Sequence, residues 1–164
     1  KKACSAHCTG FEMRPQITFS WDDGADQTLG LPRYETAGAV GADLKANLSN
    51  SGSVKINPGA RALISTGLRL AIPIGFEVQI RPRSGLCLKY GITVANTPGT
   101  IDSDYRGPLG IILLNVGQDS FVVMHGDRIA QMVVAPAVQA DFSEVEILNG
   151  TVRDQGGFGS TGIN

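Results

Sequence analysis

Long apolar runs, blocks of like charge and extended helical periodicity are all missing from this 164-residue chain. No stretch approaches the roughly 18 consecutive apolar residues that a membrane-crossing helix needs, so no membrane partner is expected. Acidic and basic residues nearly cancel, 15 against 14, and the net charge of -1 gives no electrostatic footprint for nucleic acid or an anionic bilayer. A small charged ligand stays compatible with that balance. Cysteine is scarce as well: Cys4, Cys8 and Cys87 form an odd, sparse set, unlike the disulfide framework of a small secreted domain, and favour a reducing cytoplasm. Cys4, His7 and Cys8 lack the second ligand pair that structural zinc wants and read as a frayed N-terminus. Cys87, between Leu86 and Leu88, reads as a small buried hydrophobe. The opening KKACSAHCTG has no apolar core and does not read as a signal peptide.

What is present is a series of short apolar runs punctuated by 21 glycines and 8 prolines. Val54 to Ile56, Arg61 to Ile64, Leu68 to Ile72 and Phe76 to Ile80 follow one another at strand length and read as a meander. The pattern resumes with Gly91 to Val94, Gly110 to Val116, Phe121 to Met124 and Ile129 to Val134, and a first strand is expected near Ile17 to Trp21. Gly117-Gln118-Asp119 and His125-Gly126-Asp127 are short enough to be hairpin connections. Only Ser84 to Tyr90 looks like a helix, so the expectation is one all-β domain, a barrel or jelly roll. The acidic stretch after Trp21, WDDGAD, is expected to be an exposed loop.

Three internal segments and the tail concentrate polar residues of catalytic and binding type. In Arg81 to Lys89, Arg83, Ser84 and Gly85 lead into the short helix, so an arginine meets free backbone donors, the chemistry of a phosphate site. The alternative is that Arg81, Arg83 and Lys89 are solvated surface charges. In Gly91 to Gly107, Asn96, Asp102 and Asp104 interrupt an apolar region around a Pro-Gly turn. A carboxylate beside Ile101 and Tyr105, partly desolvated, would suit a general base, and turn capping is the competing reading. Gln131 lies in an apolar strand, where its amide needs partners that a ligand phosphate could supply. The tail RDQGGFGSTGIN cannot bury enough apolar area to order itself, and reads either as a solvated terminus or as a lid. As a lid, Phe158 would stack on a flat base while Arg153, Ser160 and Thr161 meet anionic oxygens.

Taken in order, AGAVGADLKA (Ala37 to Ala46), PRSGLCLK (Pro82 to Lys89), GITVANTPGTIDSDYRG (Gly91 to Gly107), GDRIAQM (Gly126 to Met132) and RDQGGFGSTG (Arg153 to Gly162) resemble the five motifs of the trimeric deoxyuridine triphosphatases (dUTPases). The resemblance spans about Leu31 to Gly162. It implies a jelly-roll subunit over residues 17–150, preceded by a loosely matched extension over 1–16. It also implies a homotrimer with interface active sites, each closed by the C-terminal arm (151–164) of another subunit. The implied reaction hydrolyses dUTP to dUMP and pyrophosphate, limiting uracil incorporation into DNA and supplying dUMP for dTMP synthesis. Asp102 matches the catalytic aspartate, orienting and deprotonating a water that attacks the α-phosphorus. Asn96, with Gly99, Thr100, Ile101 and Gly110, would read uracil, and Tyr105 would pack on the deoxyribose. Arg83, Ser84, Gly85 and Gln131 match phosphate-binding positions, joined by Arg153, Phe158, Gly159, Ser160 and Thr161 of the arm. Mg²⁺ is implied, held mainly by substrate phosphates, with Asp43 acting through water. Where the family commonly has glycine after the fifth motif's arginine, this chain has Asp154.

Two rivals need different features. A dCTP deaminase of the same superfamily would need a spare carboxylate beside C4 of the ring, and the third motif has none placed for it. A non-catalytic nucleotide sensor would rest on the loosely matched N-terminal extension alone.

Overall fold

The structure, a computed structural model, describes residues 14–155. The zinc candidates Cys4, His7 and Cys8, and the arm residues Phe158, Gly159, Ser160 and Thr161, lie outside the described residues. Within them are strands β1 (Thr18–Trp21), β2 (Ala42–Lys45), β3 (Ser53–Ile56), β4 (Arg61–Ser65), β5 (Leu68–Ala71) and β6 (Phe76–Arg81). A single α-helix, α1 (Ser84–Tyr90), precedes β7 (Ile92–Val94), β8 (Gly99–Ile101), β9 (Gly110–Asn115), β10 (Phe121–Met124) and β11 (Arg128–Pro136). No helix among the described residues is long and apolar enough to cross a membrane.

The expected meander is overturned: among the described residues, no strand pairs with the next strand in the chain. The sheets are ordered β1-β5, β10-β3, β2-β11-β6-β8 and β4-β9-β7, all antiparallel. Such long-range pairing is the jelly-roll arrangement, and it puts β9, β10 and β11 in three different sheets. Gly117 to Asp119 and His125 to Asp127 are therefore corners and not hairpins. Asn115 shows why the first corner leaves its sheet. Fully buried, it donates from Nδ2 to the carbonyls of Ile56 (2.9 Å) and Asp119 (2.8 Å), and its Oδ1 accepts from the Gly117 amide (2.9 Å). That network binds the corner to β3, the strand on which β10 then pairs.

Alternation sends one face of each strand inward. Leu44, Ile56, Ile64, Val78, Ile92, Ile111, Leu113, Val123 and Ile129 form a continuous aliphatic core at 1% exposure or less. Each fully buried side chain of this size contributes about 1.5–3 kcal/mol, so the core, and not the scattered surface pairs, carries the stability. Cys87 is not among them: it sits exposed on α1, because the helix turns its Leu86 face to the core and leaves Cys87 and Leu88 outside. Gly91 is not a strand residue either. It caps α1 in the left-handed region (φ 67), donating to the carbonyls of Cys87 and Leu86.

The acidic stretch after Trp21 is a loop as expected, but a partly buried and well-tied one. Asp26 and Asn47 exchange bonds, Asp26 N to Asn47 Oδ1 (3.1 Å) and Asn47 Nδ2 to Asp26 O (3.0 Å). The Asp26 carboxylate caps the short 3-10 turn Gln27–Leu29 and faces His125 Nε2 at 3.1 Å. Bonds from the Thr28 hydroxyl and amide, and then from His125, hold this carboxyl below its ordinary value of 3.8. A depressed carboxyl contributes stability that is present above the unfolded value and lost as pH falls through the folded one. An Asp26→Asn variant is thus expected to lose less of its thermal stability than the parent below about pH 4, in melts run from neutral to acid pH.

Candidate active site

Strand β6 is the axis of the site, because it leads into one candidate cluster and pairs with the strand that leads into the other. At its C-terminal end Pro82 breaks the ladder and Arg83 caps α1 with an extended backbone (φ -91, ψ 124). Ser84 and Gly85 begin the helix in the open, and a Cβ placed on Gly85 would meet nothing within 4 Å. The Ser84 and Gly85 amides are therefore accessible, while those of Leu86 and Cys87 already donate to the Arg83 carbonyl, both at 3.1 Å. The guanidinium of Arg83 donates from Nε to Asp43 Oδ1 at 3.0 Å and from Nη1 to the Arg128 carbonyl at 3.0 Å. Arg128 Nη1 reaches the other oxygen of Asp43 at 3.4 Å. One carboxylate thus fixes two arginines, leaving a net positive corner with donors to spare, suited to an anion.

Gln131 belongs to the same corner. It pairs with Asp43 on β2 and Arg81 on β6, and its Nε2 donates to the Pro82 carbonyl at 2.9 Å. The partner that the sequence left to a ligand is thus partly supplied by the chain itself. Gly41 makes this possible. A Cβ there would lie 3.0 Å from Gln131 Cδ and closer still to its Oε1, and Gly41 has no left-handed φ to explain the glycine otherwise. Gly41→Ala is expected to push the Gln131 amide off Pro82 with little change in melting temperature, since only a flexible side-chain end must move, and to raise KM several-fold if Gln131 is a phosphate contact. Steady-state kinetics beside a thermal melt check this.

The second cluster lies past β8. Between β7 and β8 the chain turns through Ala95, Asn96, Thr97 and Pro98, and Asn96 folds back on Gly99, where a Cβ would stand 3.1 Å from its Nδ2 and 3.3 Å from Ile80 Cβ. Gly99 and Thr100 pair with Ile80 and Gln79, and Ile101 with Val78. Asp102 then opens a four-residue turn closed by the Tyr105 amide on the Asp102 carbonyl (3.2 Å). Arg106 braces it from Nη1 to the carbonyls of Ser103 and Tyr105, both at 2.7 Å, and Arg69 ties the Arg106 carbonyl (3.2 Å) to Asp22 (2.5 Å). Asp102 and Asp104 line a cleft of about 560 Å³ with Phe76, Glu77 and Gln139 among others. Both are exposed, so the partial desolvation expected around Asp102 is not present in this chain. Gly110 sits on β9, where its missing side chain makes room for Leu63.

The two clusters occupy opposite corners of the sheet β2-β11-β6-β8. Asp43, Gln131 and Arg81 share one row, while Asp102 follows the Ile101–Val78 pair, on the level of Glu77. Four residues along and three strands across place the corners roughly 20 Å apart, at about 3.3 Å per residue and 4.8 Å per strand. Arg153, at the end of the described chain, precedes Asp154 in the left-handed region (φ 41), a conformation that favours glycine and that aspartate tolerates better than most.

Fold and site together define an antiparallel jelly roll with an anion-suited arginine corner and, across the same sheet, an exposed carboxylate turn. The sequence model of the dUTPase family matches residues 28–162. The deoxyuridine 5'-triphosphate nucleotidohydrolase of Roseobacter denitrificans is 60% identical over 146 residues, 89% of this chain and 95% of that protein. The corresponding protein of Desulfotalea psychrophila is 51% identical, with 92% and 100% covered. Among solved structures, the Staphylococcus bacteriophage 80alpha dUTPase with dUPNHPP superposes with a TM-score of 0.78 at 23% identity, covering 90% of this chain and 99% of the other. A mutant dUTPase of phage phi11 of S. aureus, described with a coordinated structural Mg(II) ion, gives 0.68 at 21% identity, with 80% and 97% covered. The chain belongs to the dUTPase family and is a dUTP diphosphatase.

Sequence reasoning passed over Arg128, Gly41 and Arg106. Arg128 stands inside GDRIAQM, where the amide of Gln131 in an apolar strand is the stronger local signal. Gly41 acts on Gln131, which only the sheet register brings to it, whereas Arg106 braces the turn immediately before it.

Proposed function

We propose that the enzyme hydrolyses dUTP at the α-phosphorus in sites shared between subunits of a homotrimer, with Asp102 from one subunit and the Arg83 corner from another. The observation carrying this reading is the separation of the two corners. A single dUTP cannot touch both in one chain, whereas a symmetric assembly brings one subunit's turn against another's arginines. The segment after Pro136 supports it. Residues 137–155 contain no helix or strand, and Val138, Phe142, Ile147 and Leu148 are 83% exposed or more, an apolar strip that a second copy would cover.

In that assembly Asn96 and the backbone at Gly99, Thr100 and Ile101 read uracil, whose N3 donor and O4 acceptor are reversed in cytosine. Each mismatched buried group costs about 1–3 kcal/mol. Tyr105 packs on the deoxyribose. Asp102 accepts a hydrogen bond from a water, aligns it with the α-phosphorus and takes its proton as the oxygen–phosphorus bond forms. The bond to the bridging oxygen breaks, and dUMP and pyrophosphate separate. Arg83, the Ser84 and Gly85 amides and Gln131 hold the phosphate oxygens, and Arg153, Phe158, Gly159, Ser160 and Thr161 close over them. Closure of the neighbouring subunit desolvates the exposed Asp102.

The residues present fit a substrate-borne Mg²⁺. Among the described residues no group of three or more His, Cys, Asp or Glu stands ready to cage a metal, and Asp43 offers a single carboxylate beside the phosphate corner. A hard cation carried by three phosphates needs little more, and when bound it neutralises charge on their oxygens.

The test is product analysis with purified protein, Mg²⁺ and each of dUTP, dCTP, dTTP and UTP. Pyrophosphate and dUMP from dUTP alone are expected. Ammonia from dCTP, or turnover of UTP at a comparable rate, would overturn the reading.

A further inference from the structure

We propose that Gly107 is a specificity-determining position, acting through Tyr105: its bare Cα seats the Tyr105 ring, and any side chain there lifts the ring from the place where it excludes a 2′-hydroxyl. The inference rests on the reading of Tyr105 as the platform for the sugar and extends it to a residue that touches no substrate.

Three observations carry it. A Cβ built on Gly107 would lie 2.9 Å from Tyr105 Cε2 and closer still to Cζ and the hydroxyl oxygen, so the ring lies on the glycine itself. Gly107 has no left-handed φ, and backbone conformation therefore does not demand glycine here; the ring does. Finally, the ring is tethered at its far end, where the Tyr105 hydroxyl donates to the Pro108 carbonyl at 3.0 Å. A methyl group at 107 must break that tether and displace the ring.

Displacement of the ring leaves Asp102 in place. The turn that presents it is held by the Tyr105 amide on the Asp102 carbonyl and by Arg106 on Ser103 and Tyr105, all of which are bonds of the backbone or of Arg106 and none of the ring. Gly107 is therefore a positioning residue whose loss falls on discrimination more than on turnover. A pocket wall that moves by the width of a methyl changes selectivity by about tenfold to a hundredfold.

The experiment compares kcat/KM for dUTP and UTP in the parent, Gly107→Ala, Tyr105→Ala and the double variant, with melting temperatures alongside. Gly107→Ala is expected to lower the dUTP:UTP ratio at least about tenfold while keeping most of kcat on dUTP. In the Tyr105→Ala background, where the ring is gone, the same change should have no further effect on the ratio. An unchanged ratio in Gly107→Ala, beside a collapsed one in Tyr105→Ala, overturns the proposal and leaves the platform reading intact. An unchanged ratio in Tyr105→Ala overturns the platform and the proposal with it. Should Gly107→Ala fail to fold, the double variant must fold, since the clash has been removed; its failure as well would overturn the seating argument.

Discussion

An Asp102→Asn enzyme is expected to bind dUTP with nearly its normal affinity and to turn it over about 10²–10⁴-fold more slowly, the range attributable to one positioned general base. Asparagine keeps the size of the side chain and can still hydrogen-bond to the water, so the ground-state complex changes little. What it cannot do is take the proton as the attacking oxygen becomes bonded to phosphorus. The loss therefore falls on the transition state, and kcat and kcat/KM should drop together. The fold should be indifferent to the change, because Asp102 makes its turn through its carbonyl oxygen and its side chain is exposed in the single subunit. Single-turnover kinetics and calorimetric titration with a non-hydrolysable dUTP analogue separate the two quantities. A variant that turned over normally would remove Asp102 from the chemistry.

How much of this site can be read from the chain depends on whether the signal is local. The helix Ser84–Tyr90 is visible because its flanks are unambiguous, Pro82 before it and Gly91 after it, and the core strands are visible because their branched side chains recur at strand length. Strands β2 and β8 are hidden for opposite reasons. In β2 the alternation Ala42, Asp43, Leu44, Lys45 is present but only four residues long, and it lies among motif residues that draw attention to their chemistry. In β8 glycine takes the place of an inward side chain, so Gly99 is buried without contributing an apolar signal. Pairing is less legible still. Short connections suggest hairpins, and nothing local in Gly117 to Asp119 announces that Asn115 will turn the chain into another sheet. The same holds for Gly41 and Gly107, whose reasons are side chains standing on a neighbouring strand or folded back over them. The motifs are thus legible one by one along the chain, and their arrangement in space is not.

That arrangement yields the second large effect. Asp102 and the Asp43–Arg83–Arg128 cluster occupy opposite corners of one sheet, about 20 Å apart on strand geometry, and no side chain spans such a gap. If each site joins the turn of one subunit to the arginines of another, two inactive variants should repair each other. An Asp102→Asn subunit keeps an intact Arg83 corner, and an Arg83→Ala subunit keeps an intact Asp102 turn. Either homotrimer should be nearly inactive, the second because removal of Arg83 also leaves Asp43 without its closest partner at the phosphate corner. Co-expressed with two different tags and purified through both, the mixed trimers should recover roughly a third of wild-type turnover, because in any two-to-one trimer one site of the three draws its intact aspartate from one type of subunit and its intact arginine from the other. The recovered sites should also show wild-type KM, because each is chemically complete. Sites confined to one chain predict no recovery at any ratio of the two subunits. Arg83 replaced by Lys in place of Ala gives an intermediate case: the charge is kept but the fork that holds Asp43 and the Arg128 carbonyl together is lost, so mixing should still rescue activity.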